Sequence, residues 1–218
     1  MKYLSFIAPL AIAWSIGCHQ PEHKNISSDK KAEVSSENNL PATEAEKKSD
    51  PAKTETAKGG NWKIDAGAST VNFAIKNFGK NVPGSIGGLQ GSIEFNKDKP
   101  ENAHLDASVE VSSINTDNKK RDEDLMGDKY FNQPSHPAIR FVSKKITKSG
   151  NGYMAAGDLT IKGITKPVDM PFQFTEKDNQ GVFSSNFTIN RHDFDIGGNG
   201  PIMGDNINVN IKVTATKK

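Results

Sequence analysis

The sequence predicts an all-β fold, a sandwich or a closed barrel, and three observations carry that prediction. From residue 61 onward, apolar and polar residues alternate with a period of two in a series of short segments, which is the pattern of strands with one buried face. Glycine, asparagine, aspartate or proline separates these segments, as expected of turns. The segments number about eight or nine, enough to close a barrel or to form two packed sheets.

The predicted strands follow one another through the whole C-terminal part of the chain. Residues 105–111 (LDASVEV) show the clearest alternation, and residues 139–143 follow a loop bounded by prolines. In chain order the predicted strands are 62–65, 71–76, 92–95, 105–111, 139–143, 153–161, 168–174, 182–189 and 207–213. Each has one apolar face, so all of them can contribute to a single core.

One stretch, residues 116–132 (TDNKKRDEDLMGDKYFN), is highly charged and lacks the alternation. Aspartate is a residue type that caps helix N-termini, and glycine favours a helix end. We therefore expect a short helix that is capped by Asp117, runs to Leu125 or Met126 and is stopped by Gly127. The all-β domain is predicted to carry this one helical insertion.

The first residues have the features of a secretory signal peptide. After a positively charged start, residues 4–16 are almost uninterruptedly apolar, and Gly17 precedes Cys18. Cys18 is either incidental to a cleavage site or the acylated first residue of a bacterial lipoprotein. The polar run that follows favours acylation, although Ser15 stands where such signals usually carry leucine. We predict a signal peptide at residues 1–17 and lipidation of Cys18, which would anchor the chain to a membrane.

Residues 18–60 differ in composition from the rest of the chain. Polar residues, alanine and proline dominate there, and aromatic residues are absent. Such a segment buries too little apolar area to offset its ordering entropy, so we expect a disordered tether before a folded domain at residues 61–218. No aspartate follows Cys18 directly, so nothing favours inner-membrane retention. The expected location is the periplasm, as an exported lipoprotein associated with the outer membrane.

The composition argues against several classes of protein. The formal net charge is +2 over 218 residues, and both signs are interspersed. Nucleic-acid-binding domains carry dense Lys/Arg patches, so we expect no nucleic-acid partner. One cysteine cannot form an intramolecular disulfide, so the domain has to be stable through its core alone.

The chain shows no motif typical of an enzyme. Residues 84–87 (GSIG) are not the G-x-S-x-G elbow of hydrolases, and the glycines of residues 197–204 lack the Lys-Ser/Thr of a phosphate loop. The carboxylates of residues 117–128 fail the calcium-loop spacing, and the histidines of the domain lack a metal-ligand spacing. We therefore predict a protein that is not an enzyme, with no cofactor and no metal site.

Several multi-residue motifs occur in a fixed order along residues 62–213. They are Trp62-x-Ile64-Asp65, Ser69-x-Val71-x-Phe73-x-Ile75, Val82-x-Gly84, Gly91-x-Ile93, Val111-x-Ser113-Ile114-Asn115-Thr116, Arg121-Asp122-x-x-Leu125, Tyr130-Phe131, Pro137-x-Ile139-x-Phe141-x-Ser143, Gly157-Asp158-Leu159-Thr160-Ile161-Lys162-Gly163-Ile164-Thr165, Pro167-Val168 and Ile189-Asn190-Arg191-x-Asp193-Phe194. On these motifs, which cover nearly the whole predicted domain, the chain resembles the YceI-like, polyisoprenoid-binding family.

The resemblance implies a single antiparallel, eight-stranded, lipocalin-like β-barrel with one short helical insertion. It also implies a ligand, because relatives of this kind hold a long isoprenoid chain in the barrel, and it brings no catalytic residues. The expected partner is an isoprenoid quinone or a polyprenyl lipid, whose many apolar carbons each contribute about 0.8 kcal/mol when buried. A homodimer is considered as the assembly.

The function that follows is that of a lipid-anchored periplasmic protein that carries or buffers such a lipid in its cavity. The alternative is a structural or interaction module in envelope stress, whose barrel is filled and holds no ligand. The residues expected to line the cavity are those of inward parity: Phe73, Ile75, Phe95, Val109, Val111, Phe141, Phe172, Phe183, Phe187, Val209 and Ile211.

Two arginines are candidate contacts for a lipid head group. Guanidinium suits phosphate, so Arg121 and Arg191 could approach a head group at the cavity mouth. The alternative is structural: Arg121 with Asp122 would pin the helical insertion, and Arg191 with Asp193 is open to the same interpretation. The structural interpretation is favoured, because charged helix ends usually serve as capping devices.

Overall fold

A computed structural model describes residues 60–218 of the chain. Within them lie nine strands and one α-helix. The strands are β1 (Asn61–Asn77), β2 (Lys80–Ile86), β3 (Gln90–Glu94), β4 (His104–Glu110), β5 (Ala138–Ser149), β6 (Gly152–Ile161), β7 (Ile164–Lys177), β8 (Gln180–Asn190) and β9 (Met203–Lys217), and the helix is α1 (Lys119–Met126). The predicted signal peptide, the predicted tether and Cys18 lie outside the described residues.

The strands close into one antiparallel barrel. Neighbours pair in the order β1, β3, β4, β5, β6, β7, β8 and β9, and β9 returns to pair with β1. β2 pairs with the C-terminal half of β1, on the edge where β3 pairs with its N-terminal end. β2 and β3 therefore lie one after the other along the same edge of β1 and together count as one strand of the barrel. The barrel thus has eight strand positions around its wall. The predicted all-β, eight-stranded antiparallel barrel with one helical insertion is confirmed.

The first two predicted strands are a single strand in the structure. β9 pairs with both parts of β1 across a register shift between Asp65 and Thr70. β2 is absent from the predicted strands because Pro83 and Gly84 interrupt its pattern. β2 pairs along its length only with β1 and makes one isolated bridge, from Ser85, on its other side. It is thus close to an edge strand, where proline is tolerated.

Helix α1 occupies the predicted insertion but has a different cap. The N-cap is Asn118, whose side-chain oxygen accepts a hydrogen bond of 3.0 Å from the backbone N–H of Arg121. Asp117 has a φ of +57°, whereas an N-cap residue takes an extended backbone. The predicted Asp117 cap is therefore wrong by one residue. The helix ends at Met126 with Gly127 as its C-cap, as predicted.

An aromatic cluster closes one end of the barrel, which we call the aromatic end. The Phe95 and Phe174 ring centroids lie 4.9 Å apart, and Trp62 packs on Phe174 at 5.3 Å. The indole N–H of Trp62 donates to the Phe95 carbonyl at 3.0 Å. The cluster also contains Tyr153, Phe172 and Phe183. These edge-to-face contacts fill the barrel where β1 begins and β9 ends.

The opposite end, which we call the helical end, is covered by irregular segments. The segment after α1 contributes Phe131, and the turn after β8 contributes Phe194 and Ile196, all buried in a second apolar cluster. The backbone N–H of Gly197 donates to the carbonyl of Lys129 at 2.8 Å, which ties the two segments together. Among residues 60–218, no helix has the length and apolar character to cross a membrane.

Candidate ligand-binding cavity

A cavity of about 210 Å³ lies inside the barrel, between the aromatic end and the helical end. Among residues 60–218, none of those that line it is charged. Its walls are Val71, Phe73, Ile75, Leu89, Ile93, Leu105, Ala107, Ser108, Val109, Leu125, Tyr130, Phe131, Ile139, Phe141, Leu159, Ile161, Met170, Phe172, Phe183, Ser184, Ser185, Phe187, Ile189, Ile196, Met203, Ile207, Val209, Ile211 and Val213. Such a wall suits an apolar ligand, since a polar one would lose its hydrogen bonds to water.

Most of the residues predicted from strand parity lie on this wall. Those that line the cavity are Phe73, Ile75, Val109, Phe141, Phe172, Phe183, Phe187, Val209 and Ile211. Phe95 and Val111 do not, although each is only 1% exposed. Both lie just past the end of a strand, where alternation no longer sets the direction of a side chain. The role of these residues in binding stays a prediction.

Phe95 and Val111 serve the two ends of the barrel instead. Phe95 follows β3 and forms the centre of the aromatic end, where its ring contacts Tyr153 at 4.9 Å. β4 ends at Glu110, and Val111 begins a short 3-10 turn in the apolar cluster of the helical end, near Ile114. The backbone N–H of Val111 donates to the carbonyl of Pro137 at 2.9 Å, outside the β4–β5 ladder.

Two glycines leave room for phenylalanine rings beside the wall. A Cβ atom on Gly84 would lie 2.3 Å from the ring of Phe73, which pairs with it across β1 and β2. A Cβ atom on Gly157 would lie 2.7 Å from the ring of Phe141. The rings therefore occupy the space that a neighbouring side chain would fill. Rings placed over glycines in this way take up less of the barrel interior.

Some residues of the cavity wall cannot be predicted from strand alternation. Tyr130, Ile196 and Met203 come from the irregular segments of the helical end or from the first residue of β9. No period marks them in the sequence. Ile93 and Leu105, by contrast, lie at the alternation positions of predicted strands, and cross-strand pairing puts them opposite each other.

Tyr130 is the tyrosine on the cavity wall at the helical end. It lines the cavity beside Leu125 and Phe131. No hydrogen bond of its hydroxyl is found within residues 60–218, whereas the hydroxyl of Ser185, also on the wall, donates to the Pro171 carbonyl at 2.6 Å. Within the described residues the Tyr130 hydroxyl is thus unpaired, although the wall to which its side chain belongs is almost wholly apolar.

Arg191 is 1% exposed and is held entirely by the rim of the barrel. Its guanidinium donates to the carbonyls of Gly204 at 3.0 Å and Ile196 at 2.9 Å, and also to that of Gly198. Its ionic partner is Asp205, at 3.4 Å, and not the predicted Asp193. This geometry supports the structural interpretation of Arg191, because a fully bonded guanidinium has no donor left for a head group.

Arg121 and Asp122 both bind Thr116, which lies three positions before the first residue of α1. The Arg121 guanidinium donates to the hydroxyl of Thr116 at 2.8 Å and to its carbonyl at 2.9 Å. A carboxylate oxygen of Asp122 accepts from the backbone N–H of Thr116 at 2.9 Å. Together they fix the entry of the chain into the helix. Arg121 is not among the residues that line the cavity, so its geometry also favours the structural interpretation.

An ion pair between Arg140 and Asp106, which shifts the pKa of Asp106, lies outside the cavity. On β4 and β5, the guanidinium of Arg140 binds both carboxylate oxygens of Asp106, at 2.8 and 2.5 Å. These hydrogen bonds lower the pKa of Asp106, although its partial burial acts in the opposite direction. Within residues 60–218, no three His, Cys, Asp or Glu side chains are grouped as metal ligands would be.

The chain is similar in sequence to proteins of a known family. The sequence profile of the YceI-like domain matches residues 62–215. A UPF0312 protein of Photorhabdus laumondii is 32% identical over 111 residues, which make up 50% of this chain and 58% of that protein. The chain thus spans little more than half of the length of that relative.

Two solved structures are similar to the barrel. Burkholderia cenocepacia BcnA aligns with a TM-score of 0.68 at 23% identity, over 70% of this chain and 99% of that one. A polyisoprenoid binding domain from Saccharophagus degradans aligns with a TM-score of 0.55 at 12% identity, over 72% and 98% of the two chains. At these identities the likeness concerns the fold. Since the profile match covers most of its length, the chain belongs to the YceI-like domain family.

Proposed function

We propose that this protein binds a linear isoprenoid lipid, a quinone or a polyprenyl compound, inside the barrel and carries or buffers it in the periplasm. The observation that carries the proposal is a cavity inside the barrel whose lining, in the part of the chain that the structure describes, contains no charged residue. Burial of an apolar chain there contributes about 0.8 kcal/mol per methylene. The cavity favours this function over the alternative of a filled barrel with a structural role.

The shape of the cavity supports a linear ligand. Along β9 its wall runs from Met203 to Val213, which is roughly 33 Å of strand at about 3.3 Å per residue. Its volume of about 210 Å³ is below the roughly 300–1,000 Å³ of most small-molecule sites. A long space of small volume is narrow, so an extended hydrocarbon chain fits it better than a compact ring system.

The head group of such a lipid would lie at the helical end. The aromatic end is filled by Trp62, Phe95 and Phe174, so a chain enters most easily from the other side. There the hydroxyl of Tyr130 is available to a quinone carbonyl or a prenol hydroxyl. The domain from Saccharophagus degradans, which shares the fold, is described as polyisoprenoid binding, and this supports the same ligand class here.

The location is proposed from the N-terminal sequence. An apolar stretch at residues 4–16 precedes Gly17 and Cys18, the arrangement of an exported lipoprotein. Lipidation of Cys18 would keep the barrel at a membrane, and two or more acyl chains make such anchoring stable. A protein held there is well placed to exchange a membrane lipid.

A cavity-filling substitution tests the proposed binding. Ala107 lines the cavity and pairs with Phe141 across β4 and β5, so Ala107→Trp puts an indole into the lumen. Thr188→Trp is the matched control, because Thr188 is exposed on β8 beside Asn208. We expect Ala107→Trp to reduce uptake of solanesol, a long linear prenol, at least tenfold, and Thr188→Trp to leave it unchanged, both measured by native mass spectrometry of the full chain.

A second variant covers the case in which Ala107→Trp fails to fold, since overpacking destabilises a core by about 1–3 kcal/mol. Val209→Phe adds a smaller volume to the same cavity wall. Circular dichroism establishes that each variant is folded. Folded cavity variants that take up solanesol as well as the wild type would show that the lipid does not occupy the barrel.

A further inference from the structure

Two large apolar side chains are exposed side by side at the helical end. Phe78 is 74% exposed and Ile202 is 50% exposed. The backbone N–H of Phe78 donates to the carbonyl of Ile202 at 2.9 Å, which joins the turn between β1 and β2 to the loop before β9. We call Phe78 and Ile202 the lip.

Phe78 occupies a backbone position that disfavours its side chain. Phe78 has a φ of +50° and Gly79 a φ of +73°, in a two-residue turn between Asn77 and Lys80. Turns with two positive φ angles favour Asn-Gly, and a bulky residue at positive φ is an outlier. A ring that is 74% exposed adds little to the core. Strained backbone positions are found mainly at functional sites. Because the Phe78 side chain contributes little to folding, the strain at this residue points to a function of its side chain.

The lip is continuous with the cavity wall. Ile75 and Met203 line the cavity, and Met203 pairs with Asn77 across β1 and β9. Phe78 and Ile202 each adjoin one member of that pair in sequence. An apolar surface therefore runs from the lip into the helical end of the cavity.

The charges within the two loops that carry the lip are positive. Lys76 and Lys80 flank Phe78 and are exposed, and neither is in an ion pair within residues 60–218. Residues 76–81 and 197–204 together contain these two lysines and no acidic residue.

The acidic residues on either side of the second loop are already paired. Asp195 binds the ammonium group of Lys162 at 3.0 Å, and Asp205 binds Arg191 at 3.4 Å and His192 at 2.8 Å. Within residues 60–218, the two loops that carry the lip thus present two apolar side chains and two cations without an ion pair. That combination fits the interface of an anionic bilayer, where aromatic rings and lysines are favoured.

We propose that the lip seats the helical end of the barrel on an anionic bilayer, so that a lipid chain passes between the bilayer and the cavity at this point. Two side chains offer too little area for a stable protein interface, which buries about 800 Å² per partner. They suffice for a reversible membrane contact supported by lysines. The passage of lipid rests on the proposed function, whereas the membrane contact does not.

Tryptophan reporters in the full chain test the contact at the lip itself. The tryptophans of the chain are Trp14 and Trp62; Trp14→Phe is used as the background, and Trp62 is buried. Phe78→Trp is compared with Asn179→Trp, which is in the β7–β8 turn at the aromatic end, where φ is also positive. With phosphatidylglycerol vesicles that contain brominated acyl chains, we expect quenching of the Phe78→Trp reporter and none of the Asn179→Trp reporter.

Charge and turn variants sharpen the test. Lys76→Gln and Lys80→Gln should each weaken the contact about fivefold, which corresponds to about 1 kcal/mol per lysine near an anionic surface. Lys145→Gln with Lys148→Gln, exposed on β5 towards the aromatic end, is the charge-matched control.

Phe78→Asn tests the lip without loss of stability, because asparagine suits this turn better than phenylalanine. The variant should keep the thermal stability and the solanesol affinity of the wild type, while it slows solanesol transfer to vesicles at least fivefold.

Several results would overturn the proposal. Equal quenching of the two reporters, or none, excludes contact through the lip. A dimer that dissociates on Phe78→Asn, together with an unquenched reporter, would show that the lip binds a second copy of this chain. Failure of the proposed function has a different signature: the Phe78→Trp reporter is quenched, but the wild type takes up no solanesol. In that case the membrane contact stands without the lipid passage.

Discussion

At the scale of single residues, Arg191 shows how a charged group can serve the barrel from inside. It is the largest fully buried side chain of the described domain, and it gathers the carbonyls of Ile196, Gly198 and Gly204 around one guanidinium. Ile196 and Gly198 belong to the loop at the helical end that carries Ile202, and Gly204 lies at the start of β9. One side chain therefore holds in place the segment through which a lipid is proposed to enter.

Substitution of Arg191 distinguishes a structural role from contact with a head group. Arg191→Gln leaves buried carbonyls without donors, each at about 1–3 kcal/mol, so we expect the free energy of unfolding in urea to fall by about 2–4 kcal/mol. Arg140→Gln, at an exposed position, should change it much less. If Arg191→Gln unfolds at the wild-type urea concentration yet loses solanesol uptake, Arg191 contacts the head group instead.

The sequence predicts single residues well where a strand is regular, and poorly where one ends. Val109 and Phe141 lie within regular ladders, so their parity alone places them on the cavity wall. Phe95 and Val111 continue the same alternation by one residue, but β3 and β4 have ended there. The residues around Tyr130 show no alternation of apolar and polar side chains, so the sequence gives no sign of its place. The folded segment after α1 brings it to the cavity wall.

At the scale of elements, local chemistry explains both the successes and the errors. The charged stretch before Gly127 forms the expected helix, because a capping residue and a stop signal flank it. The exact cap depends on whether Asp117 or Asn118 takes the extended backbone, and either residue type can cap. β2 could not be predicted from alternation, since its edge position tolerates Pro83 and the ring of Phe73 requires Gly84.

The β4–β5 pair makes a prediction about pH. Hydrogen bonds from Arg140 hold the pKa of Asp106 below its ordinary value of 3.8, so the pair stabilises the fold fully above that value. The stabilisation is lost as the pH falls through the lowered pKa, because the carboxylate is then protonated in the folded state too. The difference in unfolding free energy between wild type and Asp106→Asn should stay constant from neutral pH down to about pH 4 and shrink below it.

Urea unfolding at several pH values measures this difference. Lys144→Gln, which removes the separate ion pair to Asp158 on β5 and β6, is a control for general loss of surface charge. A difference between wild type and Asp106→Asn that stays constant or grows as the pH falls below about pH 4 would mean that Arg140 does not stabilise the ionised form of Asp106.

At the scale of the whole molecule, the closure of the barrel and the presence of a cavity inside it have different causes. Closure follows from strands that each have one apolar face, and the alternation made that predictable. Whether the bulky inward residues fill the lumen depends on how each ring packs. Gly84 and Gly157 give Phe73 and Phe141 a place beside the wall, a pairing across strands that the sequence does not reveal before the register is known.

The barrel of the intact protein is proposed to hold a linear isoprenoid lipid. The most direct test is to purify the full chain from its own host in mild detergent, record its native mass and extract the bound material with organic solvent. We expect one isoprenoid quinone or polyprenyl molecule per barrel, and none in the Ala107→Trp variant. A barrel that is empty after purification, and that takes up no solanesol when offered it, would show that the protein does not bind such a lipid.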